Sequence, residues 1–274
     1  MINNILTFEI EDKFNNDDPG QNDLIKKSRV IPNLIHLLDH LDQEKARATF
    51  FMLGTVARKF PEVAALIDSR GHEVASHGIT HLPLKGMPLE KIEFELLKSK
   101  EELQEVIKKP VRGFKSADKY LARKELHIFK HIAEAGYNYD CSYFGHGSRI
   151  EINKISKILT DKGNSLSIIP QSVRTELVFH IRFGEKVRAF PTWFVDSSIR
   201  KLNKNGQAAM INMKLWEIDK FHPRPAKSEY INFSTYGNIQ FAEEKLKLLL
   251  ASYKFVSCSE FLGLNDEKPN GIPI

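Results

Sequence analysis

The chain has 274 residues, 42% of them hydrophobic and 27% charged, which excludes intrinsic disorder and collagen-like repetition and suffices for a sizeable core. Its formal net charge is +5, yet Lys and Arg are spread along the chain instead of forming one block, which argues against a nucleic-acid-binding face. Cys141 and Cys258 lie far apart without metal-ligand spacing, so buried thiols are expected and neither a disulfide framework nor a cysteine zinc site.

Residues 1–8 have no basic start followed by a long apolar stretch, and no later segment reaches the ~18 apolar residues of a membrane span. A cytoplasmic location is the default expectation. In chain order, short apolar runs bounded by turn residues predict strands over 5–10, 47–53, 72–76, 111–115, 137–141 and 208–214. Between them Leu89, Ile92, Leu96, Leu103 and Ile107 keep helical spacing, and 241–250 shows a similar pattern. Strands alternating with helices predict an α/β fold with a largely parallel sheet. Residues 145–207 break the rhythm with scattered prolines, glycines and aromatics, and are expected as an insertion near one mouth of a single domain spanning 1–274. Oligomeric state leaves no mark in the sequence.

Two constellations carry chemistry. In His72-Glu73-Val74-Ala75-Ser76-His77-Gly78-Ile79-Thr80-His81 a strand ends where a His-x-x-x-His begins. Imidazoles four apart share one face of a helical turn and can reach one metal ion; the bland alternative is two surface histidines at a helix start. In Phe8-Glu9-Ile10-Glu11-Asp12-Lys13 three carboxylates crowd the end of the first strand. Alternation puts Glu9 and Glu11 on one face, and Asp12 joins them once the chain leaves the strand. Carboxylate and imidazole together suit zinc or a similar first-row ion; the bland alternative is a solvated acidic turn.

These stretches, with Ala48-Thr49-Phe50-Phe51-Met52-Leu53-Gly54, Val111-Arg112-Gly113-Phe114-Lys115 and Ala135-Gly136-Tyr137-Asn138-Tyr139-Asp140-Cys141-Ser142, resemble the ordered motifs of the polysaccharide deacetylases, carbohydrate esterase family 4. Lys214-Leu215-Trp216-Glu217-Ile218-Asp219 is similar to the last motif of a branch linked to exopolysaccharide biosynthesis. The resemblance implies a distorted (β/α) barrel of seven or eight mainly parallel strands. It also implies one divalent metal, most simply zinc, on His77, His81 and an acidic residue at Glu11 or Asp12. The implied reaction is hydrolysis of an amide on an N-acetylated sugar or glycan in surface-polysaccharide assembly, with at most peripheral contact to a membrane-linked glycan.

The resemblance assigns Glu9 to the base position, Lys115 to the group that orients it, and Lys214 to the acid that protonates the leaving amine. At these positions the family pattern has aspartate, arginine and histidine, and Ala117 stands in place of a proline. One reading is compensation, the longer Glu9 pairing with the Lys115 cation. The other is a pseudoenzyme that keeps its metal pocket and binds a glycan or a partner protein. Trp216 and Tyr143 are candidate sugar-facing aromatics. Trp193 is expected as packing, and His222 as a surface-loop histidine.

Overall fold

The computed structural model describes residues 2–10, 23–117, 121–122, 125–143, 153–176, 179–222 and 236–264, the side chains of 23–28 and 179 aside. The main sheet uses β1 (Asn4–Ile10), β2 (Thr49–Met52), β3 (Glu73–Ser76), β4 (Gly113–Phe114), β5 (Tyr139–Asp140), β6 (Ser156–Leu159) and β7 (Ser165–Ile168). A separate ribbon pairs β8 (Arg174–Glu176) with β9 (Phe179–Ile181), and β10 (Met210–Lys214) and β11 (Phe255–Val256) return to the main sheet.

Its strand order is β10-β1-β2-β3-β4-β5-β7-β6, with β11 also beside β1. Every pairing in it is parallel except β6 with β7. This is the expected α/β architecture, a distorted (β/α) barrel with eight strands on its path and a short ninth. Each of the six predicted strands is present; β1 begins one residue earlier than its apolar run and the other five are shorter than theirs, because a ladder ends where its neighbour stops pairing.

Around the sheet lie α1 (Asp23–Gln43), α2 (Gly54–Lys59), α3 (Pro61–Ser69), α4 (Leu89–Ile107), α5 (Leu126–Glu134), α6 (Thr192–Lys204), α7 (Ala242–Ser252) and α8 (Cys258–Phe261). In α4 the predicted stripe faces inward from its second member on, Ile92, Leu96, Leu103 and Ile107 being buried, while Leu89 at the helix start is 44% exposed. Parallel strands covered on both faces leave little room for polar residues, and all seven residues of β1 are buried. Within 145–207, β6 and β7 extend the main sheet beyond β5, and α6 follows the β8–β9 ribbon. Among the described residues no helix is long and apolar enough to cross a membrane.

His72, just before β3, carries a pH signature. Its ring meets Phe50 edge-on, and its Nδ1 accepts the Ala48 N–H at 3.3 Å, so a second ring proton would point at a donor. Burial first, then the Arg47 guanidinium, push its pKa down to about 4. The unfolded chain takes this proton near pH ~6.5, and the folded chain refuses it until about pH 4. Above pH ~6.5 the group has no effect; below it, stability is lost progressively, by about 3 kcal/mol on reaching pH 4. Urea titrations at pH 7 and pH 4 should therefore show wild type losing about 3 kcal/mol more than His72→Gln, whose amide still offers Ala48 an acceptor. Equal losses would mean that His72 titrates normally.

Candidate active site at the strand ends

Parallel strands deliver their C-terminal ends to one mouth of the barrel, and there the sequence places its polar residues. Glu9 is the penultimate residue of β1, Lys214 closes β10, His77 follows β3 and Lys115 follows β4. The β1–β10 register sets Glu9 directly opposite Lys214, and Lys214 Nζ lies 3.1 Å from Glu9 Oε2. Lys115 Nζ donates to the other oxygen, Oε1, at 2.5 Å. Asn212, two residues before Lys214 and so on the same strand face, donates to Oε1 at 2.9 Å. Its own carbonyl accepts from Thr7 Oγ1 at 2.8 Å, which fixes the amide orientation.

Glu9 and Lys115 are both buried. Burial works against a charge on Lys115, but Glu9 and then Glu185, whose Oε1 is 3.6 Å from Nζ, outweigh it and raise its pKa. The Lys115 backbone has a second task. Its carbonyl lies 2.7 Å from His77 Nδ1, and because a carbonyl only accepts, Nδ1 carries the ring proton and the lone pair resides on Nε2. One residue thus orients the histidine with its main chain and holds the carboxylate with its side chain.

The His81 ring stands 5.2 Å from that of His77, tilted by 64°. The two are not on a helical turn, contrary to the spacing argument. Residues 77–84 have no regular secondary structure, and the chain bends through Gly78 at φ 85° and His81 at φ 60°. Glu95 on α4 holds this loop, accepting from the Ile79 N–H at 2.7 Å, the Thr80 N–H at 3.1 Å and the Thr80 hydroxyl. Glu11 and Asp12 lie outside the described residues.

Tyr143 packs edge-on against Phe129, ring centroids 6.1 Å apart. Trp216 is 7% exposed and forms a small cluster with Tyr236 and Ile239, with the Arg188 guanidinium 5.8 Å from its ring. His222 is buried and not a surface histidine: its ring stacks on Tyr236 at 5.8 Å and lies 5.3 Å from Trp216. Trp193 is 69% exposed, so core packing does not account for it. Cys141 and Cys258 are free buried thiols, 3.8 Å apart.

Glu95, Asn212 and Glu185 escaped sequence reasoning. Alternation from Lys214 was enough to find Asn212; Glu95 and Glu185 sit in elements whose pattern says nothing of the pocket. Asp140 also escaped a role: burial pushes its carboxyl up to about 7, against hydrogen bonds from the Ser142 hydroxyl and N–H.

The polysaccharide deacetylase family model matches residues 31–137, and a domain of unknown function (DUF3473) matches 146–263. A peptidoglycan-N-acetylglucosamine deacetylase of Bacillus cereus is 34% identical over 101 residues, which is 37% of this chain and 46% of that protein. The chain thus spans less than half of that relative's length. Among solved structures, one from Mycobacterium smegmatis assigned to the polysaccharide deacetylases superposes with TM-score 0.63 at 18% identity, over 98% of this chain and 94% of the other. A family 4 pseudoenzyme of Bacillus anthracis does so with TM-score 0.51 at 14% identity, over 96% and 66%. At such identities the structural likeness is one of fold. The two sequence matches, which follow one another along the chain, show a polysaccharide deacetylase domain over residues 31–137 followed by a DUF3473 domain over 146–263.

Proposed function

We propose that the chain is a metal-dependent N-deacetylase of an N-acetylated sugar or glycan in surface-polysaccharide biosynthesis. The convergence of Glu9, Lys115 and Lys214 at one mouth of the barrel, tied through Lys115 to His77, carries this reading. The donor set fits a zinc-like ion: the His77–Lys115 hydrogen bond selects the tautomer that ligates through Nε2, and Glu11 or Asp12 would complete the protein ligands. A divalent ion there supplies Lewis acidity toward the acetyl carbonyl and a lowered pKa for water.

In this reading Glu9 takes the proton of the attacking water. Lys115 positions Glu9, and Lys214 protonates the leaving amine. Lys214 stands ready on the neighbouring strand, its Nζ 3.1 Å from Glu9 Oε2, and an acid role there requires its pKa to be depressed from the ordinary ~10.4. Trp216 and Tyr143 are assigned to the sugar. The relatives named for peptidoglycan N-acetylglucosamine and for chitooligosaccharides make N-acetylglucosamine oligomers the first substrates to try.

One observation favours a non-catalytic glycan-binding protein instead. Both oxygens of Glu9 are engaged, by two ammonium groups and an amide, so a basic role requires exchanging one of these bonds. Acetate release from N-acetylglucosamine oligomers with added zinc or cobalt separates the two readings. Turnover supports the deacetylase, while binding without turnover across a panel of N-acetylated glycans supports the other. Metal content tests the pocket itself: replacing His77 and His81 together by alanine should remove one zinc equivalent per chain. Unchanged zinc would dismiss the pocket as a metal site.

A further inference from the structure

Away from the strand ends, three metal-ligating side chains meet where α1 and α7 touch. His36 and His40 are four residues apart on α1 and so share a helix face, and Glu243 reaches them from the first turn of α7. The two Nε2 atoms are 3.2 Å apart and stand 2.9 and 3.1 Å from one oxygen, Glu243 Oε1. The three donor atoms form a nearly equilateral triangle. A tetrahedral zinc with bonds of ~2.0–2.1 Å keeps its donors roughly 3.3 Å apart, so an ion about 1 Å above this triangle would reach all three.

We propose that His36, His40 and Glu243 form a second divalent-metal site, suited to zinc, that staples α1 to α7 on the outside of the barrel. The donor chemistry is that of a first-row ion, two imidazoles and a carboxylate. The fourth position faces water, since the His36 side chain is 52% exposed. Without a cation the three atoms are poorly matched. If both Nε2 atoms carry protons they crowd one carboxylate oxygen, and if one does not, its lone pair has only the other ring to accept from. A cation satisfies both lone pairs and the carboxylate together.

The carboxylate is ready for it. Glu243 Oε1 is already the meeting point of Lys247, His36 and His40. Lys247 is the natural competitor, its Nζ 2.8 Å from the same oxygen, and it has an alternative partner in Glu244 Oε1 at 3.0 Å. An arriving ion can therefore displace the ammonium without stranding it. Nothing in this site depends on the strand-end pocket, with which it shares no residue.

Zinc sulfate titrations of the tag-free full chain against a competing chelator test the proposal in four forms: wild type, H77A/H81A, H36Q/H40Q and all four changes together. H77A/H81A should retain one zinc equivalent and the fourfold variant none. Zinc at a hundredfold excess over Kd should raise the melting temperature of H77A/H81A by about 5 °C and leave the fourfold variant unmoved. Equal zinc binding by those two proteins would overturn the outer site whatever the pocket does. If wild type and H77A/H81A each hold one ion, the pocket reading fails and the outer site stands. Should the fourfold variant fold poorly, H77A/H81A with the exposed His36→Gln alone is the comparison, and retained zinc there is equally fatal. Lys247→Ala should tighten zinc binding, and weaker binding would remove Glu243 Oε1 as a ligand.

Discussion

Glu9→Gln is expected to lower acetate release by ~10²–10⁴-fold, the usual worth of general acid–base assistance, while leaving zinc content at the pocket unchanged. Glutamine keeps the length of the side chain and the acceptor for Asn212, but it removes the charge that Lys115 and Lys214 share between the two oxygens. Stability should fall as well. Lys115 is 5% exposed, and depriving a buried ion of its partner typically costs about 3–5 kcal/mol; Glu185 at 3.6 Å offsets part of this. Rates must therefore be normalised to folded protein.

A conservative series separates compensation from decay. Glu9→Asp alone should slow a compensated enzyme, because shortening the acid opens a gap toward an ammonium already at 2.5 Å, and Glu9→Asp with Lys115→Arg should recover rate. The coupling is read directly from a double-mutant cycle. In a decayed enzyme wild type is nearly inactive, and Glu9→Asp, Lys115→Arg and Lys214→His together should raise acetate release above it. A fast wild type whose rate survives Glu9→Gln contradicts both.

Gly113→Ala is expected to be the most damaging single methyl in the sheet. An added Cβ would lie 2.0 Å from Cζ and 2.1 Å from Oη of Tyr139, its direct partner in the β4–β5 register. The ring cannot swing aside. Tyr139 is fully buried, and its hydroxyl donates to Glu73 Oε1 at 2.8 Å. Glu73 is itself held by the Thr49 hydroxyl at 2.6 Å and by the N–H and hydroxyl of Ser259. Overpacking of this kind costs about 1–3 kcal/mol where neighbours can give, and more where they cannot. A urea midpoint equal to wild type would refute the clash. The same change in a Tyr139→Val background should be tolerated better.

How much of this was legible in the sequence depends on how local each cause is. Strand positions followed from apolar runs, and the strand-end carboxylate from Glu9 itself. The spacing of His77 and His81 was visible, but the bend that brings them together is made by positive φ at Gly78 and His81 and by Glu95 on a distant helix. The helical His-x-x-x-His that the spacing argument describes is found at His36 and His40, within the apolar pattern of α1. Residues 145–207 showed no rhythm because β6 to β9 are each only three or four residues long. His222 reads as a loop residue, and its burial comes from Trp216 and Tyr236 closing over it.

The placement of β1 has a consequence for how the chain is made. This strand precedes every other described strand along the chain and is buried throughout, and β2 reaches one of its edges early. Its other edge waits for β10, the Asn4 side chain meeting the Ala209 N–H across 205 residues. At roughly 5–20 residues per second that wait lasts about 10–40 s, with a row of strand N–H and C=O groups open to any other extended chain. During synthesis the sheet is therefore open to mispairing along this edge of β1. A chain that stops short of residue 210 would keep that edge open permanently, and would fail by aggregating.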